Sequence, residues 1–364
     1  GGIRSEVELG GELKFFRNRI GLDITYFEKT DTNLPVSLTL DSSTGYTGVS
    51  TNSGEQFYKG LEIGLTGTPI RTENFEWEVS ANLATLSRWV NSLAEGVTVN
   101  TLDGTSQGWG GLLLQEREGE EWGVLYGRKA QRNDNGDLLL SSTGAIQYDT
   151  NQFLGNVLPD FTGGFTSNMR YKNFDLFLGF DFQKGGQYFS VTDMFINYSG
   201  LGIESVGDNA LGNPKRDPLT GTGIVDGIAV PAATAGNNSG GILVEGVDAT
   251  SGNPAAYYVD PVQYYGRLFG LSEFYLHDAS YIKLRTLRLG YNLPKKFLDQ
   301  TPFSKANIAF YANNLWLIDS DLNFVDPSEL ENIGWSTSAN NYNFIEGGQL
   351  PPARTLGLNV SLTF

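Results

Sequence analysis

Glu6-Val7-Glu8-Leu9-Gly10-Gly11-Glu12-Leu13-Lys14-Phe15 is followed, across the polar pair Asn18-Arg19, by Ile20-Gly21-Leu22-Asp23-Ile24-Thr25-Tyr26-Phe27. Apolar and polar residues alternate almost one by one in both stretches. Successive side chains of a strand point to opposite faces, so Val7, Leu9, Leu13 and Phe15 share one face and Glu6, Glu8, Glu12 and Lys14 the other. Two such strands across a short polar turn predict a hairpin with one greasy and one charged face.

The same period returns along the chain. Leu61, Ile63 and Leu65 alternate with Glu62, Gly64 and Thr66; Phe75, Trp77, Val79, Ala81 and Leu83 with Glu76, Glu78, Ser80 and Asn82. Phe174, Leu176, Leu178, Phe180 and Phe182 follow the turn at Tyr171-Lys172-Asn173, and the chain ends on Leu356, Leu358, Val360, Leu362 and Phe364 against Thr355, Gly357, Asn359, Ser361 and Thr363. These runs last about 9–12 residues, longer than the usual ~5–6 of soluble strands and matched to the roughly 9–11 that a tilted strand needs to cross a bilayer. Aromatics near the row ends (Phe15, Phe16, Tyr26, Phe27, Phe75, Trp77, Tyr291, Phe364) suit interfacial girdles. The pattern predicts an all-β, antiparallel transmembrane β-barrel; a large soluble sandwich or β-helix is the alternative.

About ten to twelve strands are expected, at 5–16, 19–30, 33–40, 55–68, 74–88, 120–130, 137–148, 160–171, 173–184, 272–291, 304–317 and 353–364. In 272–291 the apolar parity changes between Ile282/Leu284 and Leu287/Leu289/Tyr291, which predicts a bulge between Arg285 and Leu287. Asn135-Gly136 suits a type I′ hairpin turn. Short links such as 16–19 and 293–296 contrast with long ones at roughly 89–119, 185–271 and 318–352. Long loops on one side and short turns on the other are the habit of outer-membrane barrels. The 185–271 stretch has linker-like composition, and loops of that length are usually functional or disordered.

Composition agrees. The 364 residues include 46 Gly, 22 Phe, 17 Tyr and 6 Trp, and only 18% are charged. No apolar run reaches the ~18 residues of a membrane helix. The chain opens Gly1-Gly2-Ile3 with no cationic, apolar signal segment, so it reads as a fragment or processed product. With no Cys and one His, His277, thiolate and multi-His metal sites are excluded. A net charge of −16 disfavours nucleic acid. His277 reads as a structural hydrogen-bonder, and Asp134-Asn135-Gly136-Asp137 as turn chemistry rather than a calcium loop. Asn197-Tyr198-Ser199 and Asn237-Asn238-Ser239 fit a glycosylation pattern that arises often by chance.

The ordered set of segments resembles the C-terminal portion of SusC/RagA-type TonB-linked outer-membrane transporters of the Bacteroidetes kind. Carrying it are the 6–26 hairpin, Lys59-Gly60-Leu61-Glu62, Leu154-Gly155-Asn156-Val157-Leu158-Pro159-Asp160 with Gly163-Gly164, and Tyr171 to Leu176. Asp278 to Arg285, Leu289 to Pro294, Asn313-Asn314-Leu315-Trp316 and Pro352-Ala353-Arg354-Thr355 follow in family order, with Ala353 inserted where the family usually places Pro directly before Arg. The resemblance implies that residues 1–364 are part of a 22-strand barrel whose first strands, plug and TonB-contacting box lie upstream or on another chain. It further implies active uptake of a glycan or oligopeptide across the outer membrane under a SusD-like lipoprotein lid, with no enzymatic step and no cofactor. A passive porin and a soluble secreted β-sandwich are the rivals.

Loop aromatics Trp109, Trp122 and Tyr126 are the expected substrate contacts, because aromatic faces stack on sugars or pack on peptide side chains; girdle or loop packing is the alternative. The terminal row Leu356, Leu358, Val360, Leu362 and Phe364 is the expected signal for the outer-membrane assembly machinery. Glu6, Glu8, Glu12, Glu62, Glu76 and Glu78 recur with strand period, which marks a wetted wall rather than acid–base catalysis.

Overall fold

The computed structural model describes all residues except 40–42, 44, 46, 47, 106–108, 220–222, 226, 227, 231–239, 331–341 and 343, with the backbone alone at 37–39, 223–225 and 228–230. In chain order its strands begin with β1 (Ile3–Phe15), β2 (Ile20–Thr39), β3 (Gly48–Arg71), β4 (Phe75–Ser92), β5 (Val99–Gly104), β6 (Leu113–Arg117) and β7 (Val124–Ala130). They continue with β8 (Leu139–Leu140), β9 (Tyr148–Asn156), β10 (Pro159–Tyr171), β11 (Phe174–Gly185), β12 (Gln187–Ser190), β13 (Gly223–Val225) and β14 (Ile228–Val230). The last are β15 (Ile242–Asp248), β16 (Pro254–Val259), β17 (Leu276–Asp278), β18 (Tyr281–Asn292), β19 (Lys305–Ser320), β20 (Ile345–Glu346) and β21 (Thr355–Thr363). Helices α1 (Val191–Tyr198) and α2 (Pro261–Phe269) are short, and among the described residues no helix is long and apolar enough to cross a membrane.

One nine-stranded sheet, ordered β1-β2-β3-β4-β10-β11-β18-β19-β21, forms a wall. Every neighbouring pair in it is antiparallel. Register puts like with like: Leu9 opposes Tyr26, Leu65 opposes Ala81, and Phe310 opposes Leu358. Among the described residues no protein layer covers the apolar face, and Leu9 is 69% exposed and Leu358 74%. Burying one such side chain is worth ~1.5–3 kcal/mol, and an open row of them across nine strands needs an apolar solvent. Rings close one end of that face, pairing Phe75 with Tyr171, Phe174 with Tyr291 and Phe303 with Phe364 at centroid distances of 6.4, 4.7 and 5.1 Å.

The wall holds nine strands rather than the ten to twelve expected. Segment 33–40 is the continuation of β2: Asn33, at φ 55°, forms an irregularity after which pairing with β3 resumes at Leu34. Segments 120–130 and 137–148 leave the wall altogether. They feed a four-stranded sheet β5-β6-β7-β9 and a five-stranded sheet β13-β14-β16-β15-β8. Their apolar residues fall in the continuous runs Val124-Leu125-Tyr126 and Leu138-Leu139-Leu140, which suit strands buried in a second core rather than one face of a wall. Residues 272–278 also stand apart, since β17 pairs with β12 in a third small sheet. The bulge lies at Arg285, between Leu284 and Thr286 on the β19 side and skipped in the pairing to β11, one position earlier than the parity change suggested.

Connections at the ringed end of the wall are short, whereas 93–158, 186–280 and 321–354 all rise from the other end. These three insertions share one hydrophobic core, with Leu112, Leu125 and Leu140 from the first, Phe189, Met194 and Leu271 from the second, and Phe344 and Ile345 from the third. The linker-like composition of 185–271 therefore folds, in its described part, into an ordered cap. At Asn133–Asp137 the turn closes by Gly136 N–H to the Asn133 carbonyl at 3.0 Å, with only Gly136 at positive φ (91°). That is a type I turn with a glycine bulge, not type I′, which needs positive φ at both central residues.

Candidate functional site: the polar wall face and its loop cap

The face of the wall opposite the apolar row is lined by ion pairs. Arg170 and Arg71 both reach Glu76, and Arg288 holds Asp175. Glu6, Glu8, Glu12, Glu62 and Glu78 stand exposed on this face, as a wetted wall requires; Glu12 bridges its own strand to Lys14 at 2.7 Å. The bulge turns Arg285 toward both the wall and the cap. Its guanidinium grips Asp181 at 2.6 and 3.0 Å and also binds Glu329 of the third insertion. Beside it Lys283, 1% exposed, donates to Asp326 and, at 3.2 Å, to Ser328. A cleft of about 400 Å³ opens here between Lys283, Asn314, Phe324, Asp326 and Arg354. Parity alone pointed to the bulge; it gave no sign that 326–329 would dock there.

Trp122 lies at a second junction. It is 9% exposed, its Nε1 donates to Glu116 Oε1 at 2.9 Å, and the Arg88 guanidinium sits 4.0 Å from its ring. Gln56 and Asn100 also donate to Glu116, at 2.7 and 2.9 Å, so the indole ties the first insertion to β3 and β4. Trp109 packs on the main cap core, edge-on to Phe195 at 5.6 Å. Tyr126 donates to Glu120 at 3.2 Å, meets Phe153 edge-on at 5.8 Å, and carries the Arg117 guanidinium 3.4 Å from its ring centroid. Each of the three thus sits in its own set of partners, and they do not converge on one pocket. Asn237-Asn238-Ser239 lies outside the described residues.

His277 joins three cap segments. Its Nδ1 lies 2.9 Å from Asp321 and its Nε2 3.1 Å from Asp193 of α1. Both carboxylates accept, so both ring nitrogens must donate, which only the imidazolium does. Burial opposes the charged ring, but the two hydrogen bonds and charges outweigh it and raise the pKa above its ordinary value. The family-like segment 154–164 also finds a physical reason. The Asn156 side chain donates to the Trp122 carbonyl at 3.1 Å and accepts from Leu158 N–H at 2.7 Å, fixing the passage from cap strand β9 into wall strand β10.

No family model matches the sequence. The chain is 24% identical over 390 residues to TonB-dependent receptor P26 of Formosa agariphila, covering 99% of this chain and 34% of that protein. It is also 24% identical over 384 residues to TonB-dependent receptor P3 of the same organism, again over 99% of this chain and 34% of the relative. With TonB-dependent receptor SusC of Bacteroides thetaiotaomicron the identity is 26% over 222 residues, covering 54% of this chain and 22% of SusC. In fold it resembles a chain of the RagAB peptide importer in its closed-closed state, at TM-score 0.64 and 15% identity over 100% of this chain and 35% of that one. The open-open state gives 0.62 and 16%, over 99% and 34%. The chain spans about a third of the length of the relatives it matches. An uncovered apolar wall with loops at one end and this kinship define a class: β-rich protein of the bacterial outer membrane. Within that class, the relatives that match the chain nearly end to end are TonB-dependent receptors, and the receptor SusC matches about half of it.

Proposed function

We propose that residues 1–364 form the C-terminal part of a transmembrane antiparallel barrel, in a TonB-dependent transporter that takes up a large nutrient, glycan or oligopeptide, across the outer membrane. The observation that carries this reading is the one-sided build of the wall. Its apolar face is exposed, its short turns lie at one end, and three insertions fold into a single cap at the other. The polar face would line the lumen, and a plug upstream of Gly1 would fill it. The cap would form the extracellular rim on which a SusD-like lipoprotein closes. Transport of this sort is binding plus gating, with no covalent step. Trp109, Trp122 and Tyr126 are the proposed substrate contacts, and Leu356, Leu358, Val360, Leu362 and Phe364 the proposed assembly signal.

The test is the intact mass of the protein from native outer membranes, with peptide sequencing upstream of Gly1. A far heavier chain carrying a plug and TonB box, with a co-purifying lipoprotein, is expected. A chain that starts at Gly1 and stays soluble without detergent would overturn the reading. Within the full-length protein, Tyr126→Ala should weaken nutrient binding at least threefold while leaving assembly intact; unchanged binding removes Tyr126 from the contact set.

A further inference from the structure

The short connections of the wall carry a charge opposite to that of the chain. Residues 16–19, 71–74, 170–173 and 293–305 hold eight cations and two acids, Glu73 and Asp299, in a protein of net charge −16. Arg71 and Arg170 are engaged by Glu76. The other six, Arg17, Arg19, Lys172, Lys295, Lys296 and Lys305, are exposed and have no ion-pair partner among the described residues.

The setting of these cations says what they meet. They stand where the apolar face of the wall ends, beside rings that face outward: Phe16 is 74% exposed, Phe297 60% and Phe364 84%. The Lys172 ammonium lies 5.4 Å from the Tyr171 ring centroid and that of Lys296 5.0 Å from Phe297. An exposed phenyl ring beside an unpaired cation is ill matched to water on one side and to hydrocarbon on the other. It suits the headgroup layer, where rings sit among glycerol backbones and ammonium or guanidinium groups reach phosphate. Six cations on one rim leave a positive surface where the sequence as a whole is acidic.

We propose that this rim binds the phosphate groups of anionic phospholipids in the leaflet that the short turns face. The proposal rests on the barrel reading above. Continuity with the lipid-facing rows fixes lipid, rather than a free anion, as the source of the phosphate. Each cation close to an anionic surface strengthens attraction about fivefold, so several acting together give a preference well above tenfold for anionic over zwitterionic lipid.

The experiment uses the full-length protein and its Arg17→Gln/Lys172→Gln/Lys295→Gln/Lys296→Gln variant, released from membranes and titrated with dioleoylphosphatidylglycerol or dioleoylphosphatidylcholine under native mass spectrometry. The unsubstituted protein should retain the glycerol lipid at least about tenfold better, and the preference should fall as potassium chloride rises. The variant should lose it while keeping its heat-modifiable mobility. Equal retention of both lipids, or a salt-independent preference, overturns the proposal without touching the barrel reading. If the variant fails to fold, the salt response of the unsubstituted protein still decides. A preference erased by millimolar inorganic phosphate would assign the rim to a free anion instead. Protein that never enters membranes at all would overturn the barrel reading, and this proposal with it.

Discussion

At the scale of single residues, the cap depends on a charge that pH can remove. His277 is held between Asp193 and Asp321, with the Tyr188 ring 5.7 Å away, the Asp278 amide also on Asp321, and Lys184 3.5 Å from Asp278. Its pKa in the folded protein is raised, so the stabilisation is complete below the ordinary imidazole range and is lost as pH climbs through the raised value. Hydrogen exchange of 187–198 and 276–278 in the full-length protein, corrected for intrinsic rates, should quicken as pH rises above the ordinary imidazole range. His277→Gln should bring fast exchange at every pH, at a cost of about 1–3 kcal/mol for the unsatisfied carboxylates. An exchange rate in the unsubstituted protein that ignores pH would show that the clamp contributes nothing. Arg285 makes a different point. Its parity break is visible in sequence, but its partners Asp181, Asn314 and Glu329 come from three separated segments, and no local pattern announces such a convergence.

At the scale of elements, the alternation in β21 makes opposite predictions for adjacent residues. Leu358 lies on the open apolar face and Asn359 on the polar one, paired with Phe310 and Ala309 of β19. Leu358→Arg places a charge near the middle of the apolar belt, which costs ~2–4 kcal/mol in a bilayer. It should reduce the folded, heat-modifiable species in outer membranes, whereas Asn359→Arg should leave it within the range of the unsubstituted protein. Equal tolerance of both would mean that this face does not meet lipid. The wall was legible in sequence for the same reason that this test works: a period-two row over nine or more residues has one simple physical use at that length. Legibility failed at 120–130 and 137–148. Leu125 sits between Val124 and Tyr126, and Leu140 ends the run Leu138-Leu139-Leu140; these runs do not alternate, and both leucines are fully buried in a cap core shared with Leu271, Phe189 and Ile345 from far along the chain. For the candidate contacts, sequence identified aromatic residues in the insertions but not their surroundings. The Glu116 carboxylate that holds Trp122 and the Arg117 that covers Tyr126 become neighbours only through strand pairing.

At the scale of the whole molecule, wall and cap treat their apolar side chains in opposite ways. The wall keeps them outward and uncovered by the described residues, so under the proposed barrel reading lipid completes it and its stability follows the membrane. The cap buries Leu112, Leu114, Leu125, Leu140, Phe189, Met194 and Leu271 at zero exposure, which makes it a water-soluble core assembled from three insertions. Removing one of these side chains should therefore weaken the cap and spare the wall. Leu271→Ala leaves a cavity at the centre of that core and should cost about 2–5 kcal/mol. Protease added to intact cells should then cut within 93–158 and 186–280, while the full-length protein, still embedded, keeps its heat-modifiable mobility. The contacts of Lys283 with Asp326 and of Arg285 with Glu329 set how far the damage spreads, because they fasten the third insertion to the wall independently of the core. Cleavage confined to the first two insertions would locate the cap's second anchor at those pairs. Loss of the embedded species along with the cap would mean that wall and cap fold as one cooperative unit.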